Sequence, residues 1–169
     1  MGLMDVLGQY VNPSNSASPQ AAEDFGRVAQ EAPPEAVSQG LADAFRSDAT
    51  PPFEQMVGQL FGRSDPQQRA GLLNEILGSL GGAVSGGLAG GALGGLLRHA
   101  AEGKEITPED AHRVPVNEVE TAAAEAARRN PGIVERVSRF YAEHPQLVQT
   151  LGTVALSVAM SSMARRRQA

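Results

Sequence analysis

The sequence predicts an all-α fold, and three observations carry that expectation. Apolar residues recur at helical spacing through most of the chain, most cleanly as Phe53, Met56, Val57, Leu60 and Phe61. Proline repeatedly stands where a helix would begin, behind a polar or small residue, as in Asp65-Pro66, Thr107-Pro108 and His144-Pro145. No stretch alternates apolar and polar residues with the period of two that a half-buried strand needs.

Residues 1–17 read as an N-terminal segment and linker. Residues 1–10 carry an acid and no basic start, which is not a secretory signal. The opening MGLMDV has Val at position six, where a myristoylation motif has Ser or Thr. Residues 11–18 (VNPSNSAS) are small and polar, as in a turn.

Residues 18–75 form an acidic helical set. Ser18-Pro19 opens a helix to residue 32 with Phe25, Val28 and Ala29 inward. Pro34 opens the next, to Ser47, with Val37, Leu41, Ala44 and Phe45 on one stripe. Thr50-Pro51-Pro52 precedes the Phe53–Phe61 pattern, and Asp65-Pro66 opens a helix carrying Leu72, Leu73, Ile76, Leu77 and Leu80.

A glycine ladder follows over residues 76–97, a stretch without charge. Gly78, Gly82, Gly86, Gly90 and Gly94 recur every fourth residue, and Gly87, Gly91 and Gly95 add a second row. Glycines four apart share one helix face, and a face without side chains lets another backbone approach closely. Each mid-helix glycine costs about 1 kcal/mol relative to alanine, so nine of them in 22 residues would not hold a lone helix in water. Two readings stand: a glycine-zipper helix held by close packing, in which Leu80, Val84, Leu88 and Leu96 keep helical phase, or a flexible glycine-rich loop.

Residues 98–169 form a C-terminal helical set with a basic tail. Residues 101–105 (AEGKE) break the ladder, and Thr107-Pro108-Glu109-Asp110 reads as a capped start. Asn117-Glu118-Val119-Glu120 reads as a second start, leading into the alanine-rich run 121–129, a weakly amphipathic surface helix. A helix over 131–143 buries Ile133, Val134, Val137, Phe140 and Tyr141. His144-Pro145 begins the last, apolar helix, with Leu147, Val148, Leu151, Val154, Ala155 and Val158 on its stripe and Arg165, Arg166 and Arg167 at its end.

Charge is divided along the chain. Residues 1–75 hold ten acids and four arginines, net −6, and residues 76–169 hold nine acids and ten bases, net +1. An overall charge of −5 argues against a general nucleic-acid binder, whose affinity rests on neutralising phosphates. Absence of cysteine removes disulfides and thiolate metal sites.

Two segments are candidates for a membrane. As a helix, residues 76–97 would span about 33 Å, against a hydrocarbon core of about 30 Å. Residues 146–164 are shorter and end at the three arginines. Against a spanning hairpin, glycine supplies almost no apolar surface, and the connection over 98–145 carries seven bases that would have to cross. A peripheral or oligomeric arrangement, with both faces buried against protein, and a plain helical monomer are the alternatives.

Chemistry-bearing patterns are sparse. His99, His112 and His144 make no H-E-x-x-H frame or other zinc spacing, and Glu109, Asp110 and His112 read as a solvated helix start. No nucleophile elbow or kinase signature occurs. Lys104, the chain's one lysine, does not follow the glycines as a phosphate loop requires, and no strand precedes them as a dinucleotide fingerprint requires. No catalytic, cofactor-binding or metal-ligating residue is therefore assigned, and neither a cofactor nor a small-molecule substrate is expected.

The start MGLMDVLG at residues 1–8, the glycine-rich middle and ITPE at residues 106–109 resemble the bacterial YidB-like family of small uncharacterised helical proteins. The resemblance implies a helical fold and brings no activity with it. Residues 19–75 and the arginine-ended helix depart from that pattern.

The expectation is a non-enzymatic, self-assembling structural or scaffold protein. Its helix-packing positions are the eight ladder glycines, its partner is a second copy of itself, and Arg165–Arg167 offer a contact to acidic lipid. It would sit in the cytoplasm, at the inner face of the cytoplasmic membrane or within it. The alternative is a protein-binding helical module with the glycine segment as its hinge.

Overall fold

The computed structural model describes residues 2–11, 19–80 and 91–168, and among them it contains eleven α-helices and no strand. In chain order they are α1 (Leu3–Tyr10), α2 (Ala21–Glu31), α3 (Pro34–Arg46), α4 (Phe53–Arg63), α5 (Pro66–Leu80) and α6 (Ala92–Ala101). Then come α7 (Pro108–His112), α8 (Val116–Arg129), α9 (Ile133–Ala142), α10 (Pro145–Val148) and α11 (Thr153–Gln168). The all-α expectation holds.

Two compact units emerge, cut differently from the segments that composition suggested. The first joins the chain ends, Met1–Pro52 with Ser138–Ala169, and the second is the continuous stretch Phe53–Val137. The described ladder glycines, Gly78, Gly91, Gly94 and Gly95, thus lie inside the second unit.

In the first unit α11 packs against α3, α1 and α2. The α3–α11 crossing is close at Gly40, where a Cβ would stand 2.8 Å from the Ala159 carbonyl oxygen and 2.8 Å from Met163 Cγ. Phe25, Val28, Leu41, Leu156 and Met160 are buried around it. Burying a large apolar side chain stabilises by about 1.5–3 kcal/mol, so a few such residues outweigh the modest helix propensities here.

Helix α1 forms most of the N-terminal segment before the linker expected at residues 11–18, of which 12–18 lie outside the described residues. Leu3, Val6, Leu7 and Tyr10 fall at i, i+3, i+4 and i+7, and Val6, Leu7 and Tyr10 are buried. An eight-residue helix is unstable alone, so tertiary packing rather than propensity holds it.

The last helix is also corrected. It is broken at residues 149–152, between α10 and α11. The Gln149 side chain lies against Gly26 of α2, where a Cβ would overlap it. Helical phase resets after the break. Leu156, Ala159, Met160 and Met163 face inward, while Val154 is exposed.

In the second unit α4 packs on α8, and α5 packs on α7, α8 and α6. Asp65 and Gln68 cap α5 reciprocally: Gln68 N donates to Asp65 Oδ1 at 2.8 Å and Asp65 N to Gln68 Oε1 at 3.0 Å. Arg69 closes the end of α4 with Nε and Nη2 bonds of 3.0 Å each to the Phe61 and Gly62 carbonyls, its guanidinium over the Phe61 ring. Thr107 Oγ1 accepts from Asp110 N at 3.2 Å, as its spacing predicts.

The alanine run differs from expectation. Ala122, Ala123 and Ala126 are fully buried rather than at the surface. Their small side chains suit the close α4–α8 packing, where Gly58 lies against the Glu120 side chain. Helix α8 starts one residue before Asn117, behind Pro115, and that start carries no side-chain cap.

Candidate interaction surfaces

The ladder is not one continuous helix. Gly91 adopts φ +91°, a left-handed conformation that glycine tolerates and that no α-helix continues through. It is the N-cap of α6. Glu118 supplies the missing cap from α8: its Oε2 accepts from Leu93 N at 3.1 Å, and its carboxylate fills the space beside Gly91. Glu118 therefore serves α6 rather than its own helix. Nothing in its local sequence signals this, because the partner lies 25 residues away.

Gly82, Gly86, Gly87 and Gly90 lie outside the described residues. Gly94 is half-buried. Gly78 on α5 and Gly95 on α6 are exposed, and a Cβ at either would meet nothing within 4 Å. The contrast with Gly40 and Gly58 is sharp. Those two have close neighbours inside the chain, whereas Gly78 and Gly95 have none among the described residues.

The arginine tail is placed on the last turn of α11, with all three side chains exposed. Arg166 Nη2 pairs with Asp43 Oδ2 of α3 at 2.9 Å, and Ser162 Oγ donates to the same oxygen. Asp43, Ser47, Val158, Ser162, Arg165 and Arg166 line an open cleft of about 500 Å³. The arrangement ties the end of α11 to α3. Arg165 and Arg167 have no carboxylate partner among the described residues.

Other polar side chains go into structural bonds. Asn74 Oδ1 accepts from Ile106 N at 3.0 Å and anchors the segment before α7. Arg129 and Arg128 bond Glu125 on α8; the hydrogen bond from Arg129 chiefly holds that carboxyl below its usual range. The His144 ring tilts against Phe140 at 4.9 Å. Among the described residues no three of His, Cys, Asp and Glu converge as a metal site would need. No described helix is long and apolar enough to cross a membrane.

No family model, curated protein or solved structure matches this chain.

Proposed function

We propose that this protein is a non-enzymatic helical scaffold that associates with further copies of itself. The carrying observation is Gly78 and Gly95, two exposed glycines inside helices with nothing within 4 Å of a Cβ position. A glycine inside a helix costs about 1 kcal/mol relative to alanine. Gly40 has a local reason for its missing side chain, while at these two positions no described residue supplies one and a contact with another chain would offset the cost. Close approach of a second copy is such a contact. The structural use of Glu118, Asn74, Arg69, Asp65 and Thr107 supports a scaffold over a catalyst.

We place the assembly in the cytoplasm, at the inner face of the membrane, because α11 ends in exposed arginines, two of which, Arg165 and Arg167, have no carboxylate partner among the described residues. The hinge alternative is less well supported, since the unit boundaries follow Pro52 and Val137 and do not fall in the glycine segment.

Light scattering tests the association. The wild-type chain should show a multiple of 17.6 kDa, and Gly78→Leu with Gly95→Leu should return it to a single chain mass with its helical signal intact. A wild-type particle of one chain mass at every concentration, or a double variant of unchanged mass, refutes the reading.

A further inference from the structure

We infer that the outer flank of α1 and the arginine end of α11 together form a landing surface for an anionic lipid bilayer. This rests on the peripheral location proposed above and names the surface that achieves it.

Helix α1 has two different faces. Val6, Leu7 and Tyr10 hold it in the first unit, against α2 and α11. Met4 and Val11 point outward, with 47% and 39% of their surfaces exposed. They are seven residues apart, hence on the same flank two turns on. Gly8 lies between them, and a Cβ there would meet nothing within 4 Å. The flank is thus apolar at both ends, uncharged, and without a side chain in the middle. Asp5 and Gln9 lie on the other exposed flank, and the Asp5 carboxylate accepts from Gly2 N at 3.1 Å.

Single exposed apolar side chains are ordinary. Two further features set this flank apart. Among the described residues four large apolar side chains are exposed, and a third of these, Val154, sits on α11, the helix that α1 packs against. One arginine of the basic tail lies at the same place: Arg167 Nη1 is 3.9 Å from the Met4 sulfur. Arg166 is held by Asp43, while Arg165 and Arg167 are exposed without an acid partner among the described residues.

An anionic leaflet matches both halves of this surface. Lipid phosphates and carboxylates take guanidinium groups in two-point hydrogen bonds. The methionine and valine reach the boundary between headgroups and acyl chains, as apolar faces of interfacial helices do. Either signal alone is weak, and stable attachment needs two. Each arginine beside an anionic leaflet raises partitioning roughly fivefold, so neutralising two should lower it roughly 25-fold.

Vesicle sedimentation with the full chain tests the surface. Wild-type protein should pellet with phosphatidylcholine vesicles containing phosphatidylserine and stay in solution with pure phosphatidylcholine. Arg165→Gln with Arg167→Gln should lose the roughly 25-fold, and Met4→Gln with Val11→Gln should lose roughly tenfold. All four positions are exposed, so circular dichroism should show each variant folded. Arg98→Gln with Arg113→Gln, the same charge change on exposed arginines of the second unit, should leave binding unaltered. Wild-type protein that ignores the anionic vesicles, or an equal loss in the Arg98 and Arg113 variant, overturns the inference. Particle mass is read separately. An assembled chain that ignores vesicles refutes the surface alone, and a single chain that binds them refutes the assembly alone.

Discussion

Tyr10 donates its hydroxyl to Asp24 Oδ2 at 2.5 Å, in the buried part of the first unit. Ser157, on α11 in the same unit, has its Oγ buried without a hydrogen-bond partner among the described residues. The two hydroxyls should respond to deletion with opposite signs. Tyr10→Phe removes a donor and leaves a carboxylate at a site only 8% exposed, which should destabilise by about 1–3 kcal/mol. Ser157→Ala removes an unsatisfied polar atom and adds helix propensity, so it should stabilise by about 1 kcal/mol. Urea unfolding of both variants checks the pair. A destabilised Ser157→Ala would show that the hydroxyl is satisfied after all. Neither effect is legible in the sequence, where Tyr10 and Ser157 are ordinary members of apolar helices.

At the scale of elements, glycine and alanine set the helix crossings. Gly40 meets backbone: a Cβ would stand 2.8 Å from the Ala159 carbonyl oxygen. Backbone on α11 can move only with its helix, so Gly40→Ala should cost about 1–3 kcal/mol despite alanine's better propensity. Gly58 meets a side chain instead, that of Glu120, which can rotate away. Gly58→Ala should therefore be near neutral, the propensity gain offsetting the displaced carboxylate. Thermal unfolding ranks the two, and equal losses would contradict the distinction. The ladder drew attention to small residues at helix spacing. The close helix contact within the first unit instead runs through a single glycine that no repeat marks.

The whole molecule consists of two units, one built from both ends of the chain and one from its middle. Phe25 belongs to the core of the first and Phe61 to that of the second, and both are fully buried. Replacing either with alanine should cost about 3–5 kcal/mol. Hydrogen exchange should localise the damage: Phe25→Ala should weaken protection of α2, α3 and α11 while α4, α5 and α8 keep theirs, and Phe61→Ala should do the reverse. Uniform loss across all helices in either variant would mean that the units unfold as one.

The sequence by itself determined the all-α class and most helix starts. These are local properties: proline at the first turn, and apolar residues three and four apart. Helix α1 was legible on the same grounds, through Leu3, Val6, Leu7 and Tyr10, although its shortness and polar sequel read as linker. Tertiary structure alone decided the rest. In the break before α11, Gln149 meets Gly26. The start of α6 behind Gly91 is capped by Glu118, and burial of the alanine run depends on α4. Each joins residues far apart in sequence, so local spacing and composition carry no trace of it. The same holds for the candidate surface: three arginines in a row are visible in the chain, but only the packing of α1 on α11 brings Arg167 beside Met4.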